Sequence, residues 1–175
     1  KYYENQVLED WYELIRHISV SETGEGIETC CDWIQKKMEE IGIQVTKYSV
    51  KPAPVLVGRF GNDPEKKTVL IYAHYDVKPA GERKLWHSDP FVPTVRDGKV
   101  YARGSADNKS PLMAHLKALE YFIRRKMEVP VNVIFVFEGD EECGSRGLEE
   151  FLAEHRTELA ADLVFFSDGP KDPSG

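Results

Sequence analysis

Three short apolar runs constrain this chain more than anything else in it, because each one gives way abruptly to polar residues that include an acid or an imidazole. VLIYA (69–73) runs into His74, Tyr75 and Asp76, VNVIFVF (131–137) runs into Glu138, Gly139, Asp140, Glu141 and Glu142, and DLVFF (162–166) runs into Ser167, Asp168 and Gly169. Apolar runs of this length without polar alternation read as strands buried on both faces. Between and around them lie segments of helical period. Leu112, Leu116, Leu119 and Ile123 mark a helix from 108 to 126, with Pro111 tolerated in its first turn, and 144–159 reads as another. Helices alternating with such strands give an α/β sheet covered on both faces. In open α/β sheets ligands gather beyond the carboxyl ends of the strands, so the three polar run-outs are the first candidates for chemistry.

The rest of the chain fits that frame. Val7, Leu8, Trp11, Leu14, Ile15 and Ile18 predict an amphipathic helix over 4–17, which SETGEG breaks. A second helix is expected over 27–40, with Trp33, Ile34, Met38 and Ile41 inward and Gly42 at its carboxyl end. IQVTKYSV and PVLVGRFG read as strands, and FVPTVRDGKVYARG as a hairpin around its Asp-Gly pair. The closing PKDPSG reads as a loop.

Composition sets the class. The chain has 175 residues, 41% of them hydrophobic, which is enough for one domain with a core of its own. A formal net charge of −7 argues against a nucleic-acid surface. No stretch approaches the roughly 20 apolar residues of a membrane span, and the start has no signal-peptide order. Of three cysteines, Cys30 and Cys31 are adjacent, so reduced, mostly buried thiols are expected rather than a disulfide framework. A cytoplasmic protein is expected, and the first residue, Lys1, implies a trimmed chain.

The candidate residues are each ambiguous alone. His74 and Asp76 leave one face of a strand, so Asp76 can hold the imidazole's second nitrogen while the first takes a metal; a solvated turn is the plain alternative. Glu141 and Glu142 repel unless a cation or proton intervenes, which a metal on Glu142 and a proton-accepting Glu141 would satisfy; an acidic loop in water is the alternative. Asp107, in YARGSADNKS, sits at a helix start, where it is either a two-cation bridge or an ordinary cap.

Together, HYDV, YARGSADNK, EGDEECGS and SDG, in this order and at these separations, resemble the di-zinc amidohydrolase and peptidase family that includes carnosine dipeptidases, aminoacylases, acetylornithine deacetylase and succinyl-diaminopimelate desuccinylase. The resemblance covers essentially the whole chain. It implies a three-layer α/β/α fold with a central mixed, largely parallel sheet, with residues 1–175 forming the amino-terminal portion of the catalytic domain. It implies that His74 and Asp168 bind one metal, Glu142 the other, and that Asp107 bridges both, with a cis peptide from Asp107 to Asn108. Asp76 would orient His74, and Glu141 would act as general base and acid. Imidazole mixed with carboxylate suits two zinc ions, with manganese or cobalt as alternatives.

LWHSDPF and HYDVKPAG look most like the dipeptidase branch, so the implied substrate is a peptide, with an N-acyl amino acid as the alternative. His87 is expected in a loop, His115 on a helix face, and Cys143 in packing. Family members continue into a lid and dimerisation domain and a closing segment with a further metal-binding His. The resemblance therefore implies an incomplete second metal site, an inactive fragment, a homodimeric parent, and an exposed sheet edge open to pairing with another copy. A non-catalytic metal-binding or interaction fragment is the competing reading. A nucleotide-binding α/β protein is disfavoured, since no GxGxxG follows the first strand and no GxxxxGK(S/T) occurs.

Overall fold

A computed structural model describes residues 2–169, and side chains from residue 5 onward. The loop expected at 170–175 lies outside the described residues. Helices α1 (Tyr2–Arg16) and α2 (Ile27–Glu40) lead into strands β1 (Gln44–Tyr48), β2 (Val55–Phe60) and β3 (Thr68–His74). A hairpin of β4 (Thr94–Arg96) and β5 (Lys99–Tyr101) follows, then α3 (Lys109–Arg124), β6 (Asn132–Glu138), α4 (Leu148–Glu154) and β7 (Leu163–Phe166). The expected Asp-Gly hairpin turns on Asp97 (φ 50°) and Gly98 (φ 72°), the two positive φ values that a two-residue turn needs.

Five strands form one mixed sheet in the order β1-β2-β6-β3-β7. β1–β2 and β2–β6 pair antiparallel, whereas β6–β3 and β3–β7 pair parallel, so parallel pairing is confined to the three strands whose ends carry the polar run-outs. Alternation along β6 shows why that run is apolar throughout. Val133, Phe135 and Phe137 pack into a core with Leu14 of α1, Ile34 and Met38 of α2, and Leu112 and Leu116 of α3. Ile134 and Val136 face the other way, onto Phe151 of α4 and Leu159. The layers are therefore α1–α3, sheet, and α4, as the motifs imply.

Two elements differ from expectation. α4 has seven residues rather than spanning 144–159. Gly144 (φ 93°) and Ser145 (φ 52°) are left-handed, and Asp140 captures the amides of Cys143, Ser145 and Arg146, which holds this stretch as a turn. β7, expected to be buried, is exposed along its length, from 47% at Phe165 to 62% at Phe166, because among the described residues it is an edge strand paired only with β3.

A charged clasp joins the three helices of one layer. Lys117 of α3 bonds Asp10 of α1 and lies 2.5 Å from Glu120, and Lys37 of α2 stands 3.3 Å from Asp10. Lys117, Asp10 and Glu120 are all buried.

Candidate metal centre

β3 and β6 run parallel with His74 opposite Glu138, so both strands deliver their next residues to one rim of the sheet. β7 delivers Asp168 two residues past its end at the same rim, and Asp107 arrives just before Asn108, the residue that precedes α3 as its cap. The Asp107–Asn108 peptide is cis, as the resemblance implies.

His74 is fully buried and lies at the middle of this convergence. Its Nδ1 is 3.2 Å from Asp76 Oδ1. Its Nε2 faces three carboxylates, Asp107 Oδ1 at 3.1 Å, Asp168 Oδ2 at 3.4 Å and Glu141 Oε2 at 3.7 Å. An Nδ1–H donated to Asp76 leaves the Nε2 lone pair for a cation. Burial by itself would lower the imidazole, but Asp76, Glu141 and Asp107 outweigh it and raise its pKa to about 9. This concentration of negative charge around one ring nitrogen fits a divalent cation. Ligand atoms of His74, Glu141 and Asp168 lie within 4.8 Å of one another, close enough to share one ion.

The pair Glu141 and Glu142 divides as two different groups. Glu141 turns toward His74, and burial, against the pull of His74 and with the push of Asp168 and Glu142, raises its carboxyl above the usual range. Glu142 stands outside that group of ligand atoms, its Oε2 2.8 Å from Lys78 Nζ. All six sequence-predicted residues therefore reach one rim: His74, Asp107, Glu141 and Asp168 meet around one nitrogen, Asp76 lies behind it, and Glu142 lies to one side on an ammonium.

The loop geometry follows from specific contacts. Asp76, fully buried, accepts the backbone N–H of Glu141 (3.2 Å) and of Glu142 (3.1 Å). Burial works to raise its carboxyl, yet His74, Ser21 and the Glu142 amide hold it below the ordinary value. Glu138, also buried, accepts hydrogen bonds from Tyr72 Oη (2.6 Å) and Ser145 Oγ (2.7 Å), fixing both ends of the acidic loop. Gly139 is required here, because a Cβ on it would lie 2.5 Å from the Tyr75 hydroxyl.

Sequence reasoning missed several partners. His115 does lie on α3, but its Nε2 is 2.7 Å from Ser167 Oγ, and Asn108 Nδ2 donates to the Ser167 carbonyl at 2.9 Å. Both contacts brace the residue before Asp168. Nothing local signals them, since the partners lie 52 and 59 positions apart. Lys78, two residues past Asp76, was legible as a cation beside the motif. His87 lies in the loop before β4, as expected, and Cys143 Sγ rests 3.5 Å from Ser21 Oγ. Among the described residues no helix is long and apolar enough to cross a membrane.

Comparison with known proteins gives a consistent picture. A family model described as peptidase family M20/M25/M40 matches residues 70–175. A Cys-Gly metallodipeptidase of Schizosaccharomyces pombe is 43% identical over 147 residues, covering 78% of this chain and 31% of the relative. The crystal structure of an M20 family metallo-carboxypeptidase from Sulfolobus solfataricus superposes with a TM-score of 0.91 at 36% identity, covering 97% of this chain and 38% of that one. Human carnosine dipeptidase 1 gives a TM-score of 0.91 at 30% identity, covering 95% and 39%. The chain thus spans well under half the length of the proteins it matches.

Proposed function

Because the chain belongs to peptidase family M20/M25/M40, we propose that it forms the metal-binding rim of a hydrolase that cleaves the amide bond of dipeptides. In this reading His74, Asp107, Glu142 and Asp168 hold two zinc ions, with manganese or cobalt as alternatives, and Glu141 moves the proton. The observation that supports it most directly is the buried imidazole of His74 with Asp76 on one nitrogen and three carboxylates on the other. The dipeptide substrate is favoured over an N-acyl amino acid because a Cys-Gly metallodipeptidase and a carnosine dipeptidase are among the similar proteins.

Bound at this rim, divalent cations would supply Lewis acidity and a water of lowered pKa. The remaining chemistry falls to the chain. Asp76 holds the His74 ring by Nδ1 and the two glutamates by their amides, so imidazole and carboxylates stay in fixed relation. Glu141, its carboxyl raised toward the working range of a general base, accepts the proton of the attacking water and returns it to the departing amine. The reading leaves the 175 residues alone inactive. The parent is a homodimer in a cytoplasmic setting in this reading.

The test is Glu141→Ala in the intact protein, assayed on Cys-Gly and β-Ala-His with metal content measured in parallel. The expected result is a loss in kcat of about a hundred- to ten-thousandfold with metal retained. Unimpaired turnover by Glu141→Ala would overturn the assignment.

A further inference from the structure

Lys109 is a buried lysine that the proposed reaction does not use, 1% exposed at the first position of α3, its amine pushed down by burial against the pull of Cys30 and Asp76. Its Nζ donates to the carbonyls of Leu14 (3.1 Å) and His17 (2.5 Å). Leu14 belongs to the last turn of α1 and His17 follows its end, where helix carbonyls lack partners within the helix and the dipole is negative. The stem reaches this position past Gly104. A Cβ there would lie 3.1 Å from Lys109 Cδ and 2.9 Å from Val77 Cγ1, on a backbone already at φ +80°.

Residues 107, 108 and 109 therefore reach three separate places. Asp107 lies against His74, Asn108 donates to the Ser167 carbonyl before Asp168, and Lys109 reaches the end of α1. Stability alone is a poor reason for such a lysine. Desolvating an ammonium costs about as much as two carbonyl hydrogen bonds return, and an apolar side chain of the same volume would fill the space.

We propose that Lys109 is a positioning residue: by tying the start of α3 to the end of α1 it fixes the placement of Asp107, so that α1, which supplies no ligand, sets the metal affinity of the site. The proposal rests on the metal-centre reading above. It also accounts for the spacing within RGSADNK, where Gly104 clears the path, Asp107 faces the metal rim and Lys109 anchors the turn behind it.

The test measures zinc affinity of the intact protein by competition with a chromophoric chelator, at a temperature where circular dichroism shows every variant folded. Wild type is compared with Lys109→Met and with Lys117→Met, which removes the other buried ammonium of the same helix, remote from the rim. Lys109→Met is expected to weaken zinc binding about tenfold, in the manner of groups that orient metal ligands. Lys117→Met is expected to lose thermal stability and keep its zinc affinity. Equal affinities in wild type and Lys109→Met, or equal weakening by Lys117→Met, would overturn the proposal. If Lys109→Met does not fold, Lys109→Gln, which keeps an N–H for one carbonyl, takes its place. Failure of both to fold would also overturn it, by assigning the ammonium to the fold and not to the site. A wild type that binds no zinc would sink the metal-centre reading itself, and this inference with it.

Discussion

At Asp76 one carboxylate gathers donors from two strand ends, the His74 ring and the amides of Glu141 and Glu142, and Ser21 besides. The His74 contact was legible from the two-residue spacing in HYD, because alternate strand residues share a face. The amide contacts were not, since they form between segments 65 and 66 positions apart. Their consequence is that Asp76→Ala disturbs both glutamates as well as the imidazole. Zinc affinity is expected to fall about 10- to 100-fold, as for other carboxylates that hold a ligating histidine. Hydrogen exchange at the Glu141 and Glu142 amides should rise in the same variant. If exchange there stays at the wild-type level, Asp76 acts on His74 alone. The same limit applies to Lys78, His115 and Lys109. Each sequence position was visible, but the partner that gives it meaning is brought near only by the folded sheet.

Among the elements, the strands and the long helices were readable because their periods are set by burial. β6 is buried at every position, facing one core with odd residues and another with even ones. α4 is shorter than its sequence pattern implies because Gly144 and Ser145 look neutral in a pattern, whereas Asp140 holds them in a left-handed turn. The clasp between α1, α2 and α3 was equally hidden, since Asp10 and Lys117 lie 107 positions apart. Lys117→Met leaves the buried carboxylates of Asp10 and Glu120 without that ammonium and should cost about 3–5 kcal/mol at neutral pH. Burial works to raise the Asp10 carboxyl, but Lys117 and Lys37 outweigh it and hold it below the usual carboxylate range. A lowered folded-state pKa contributes stability above the unfolded value that is lost as pH falls through the folded one. The deficit of Lys117→Met relative to wild type, followed by denaturant melts, should therefore shrink as pH drops below about 4. A deficit that stays constant through that range would show that the Asp10 pair does not carry it.

For the molecule as a whole, the sheet has two very different edges. β1 is half covered by α2 and carries Lys47, which pairs with Glu28 and Asp32 of that helix. β7 presents Leu163, Val164, Phe165 and Phe166, all substantially exposed, with one edge hydrogen-bonded to β3 and the other unpaired among the described residues. The apolar run was legible; its exposure was not, because burial of a strand depends on what lies beside it. An exposed apolar edge is a template for another strand, and natural sheets blunt such edges with charge, proline or a covering element. The 175-residue chain in isolation is therefore expected to self-associate through β7. Sedimentation velocity over a concentration series should show dimer or larger species, and Val164→Lys should return the chain to monomer by placing an ammonium in the middle of the edge. Val164 is a suitable position because it is 48% exposed and stands in neither aromatic contact that Phe165 makes with His115 or Phe166 makes with Tyr72. A chain that remains monomeric at all concentrations, or a Val164→Lys variant that associates as strongly as wild type, would show that this edge is not sticky in the way its composition and exposure imply.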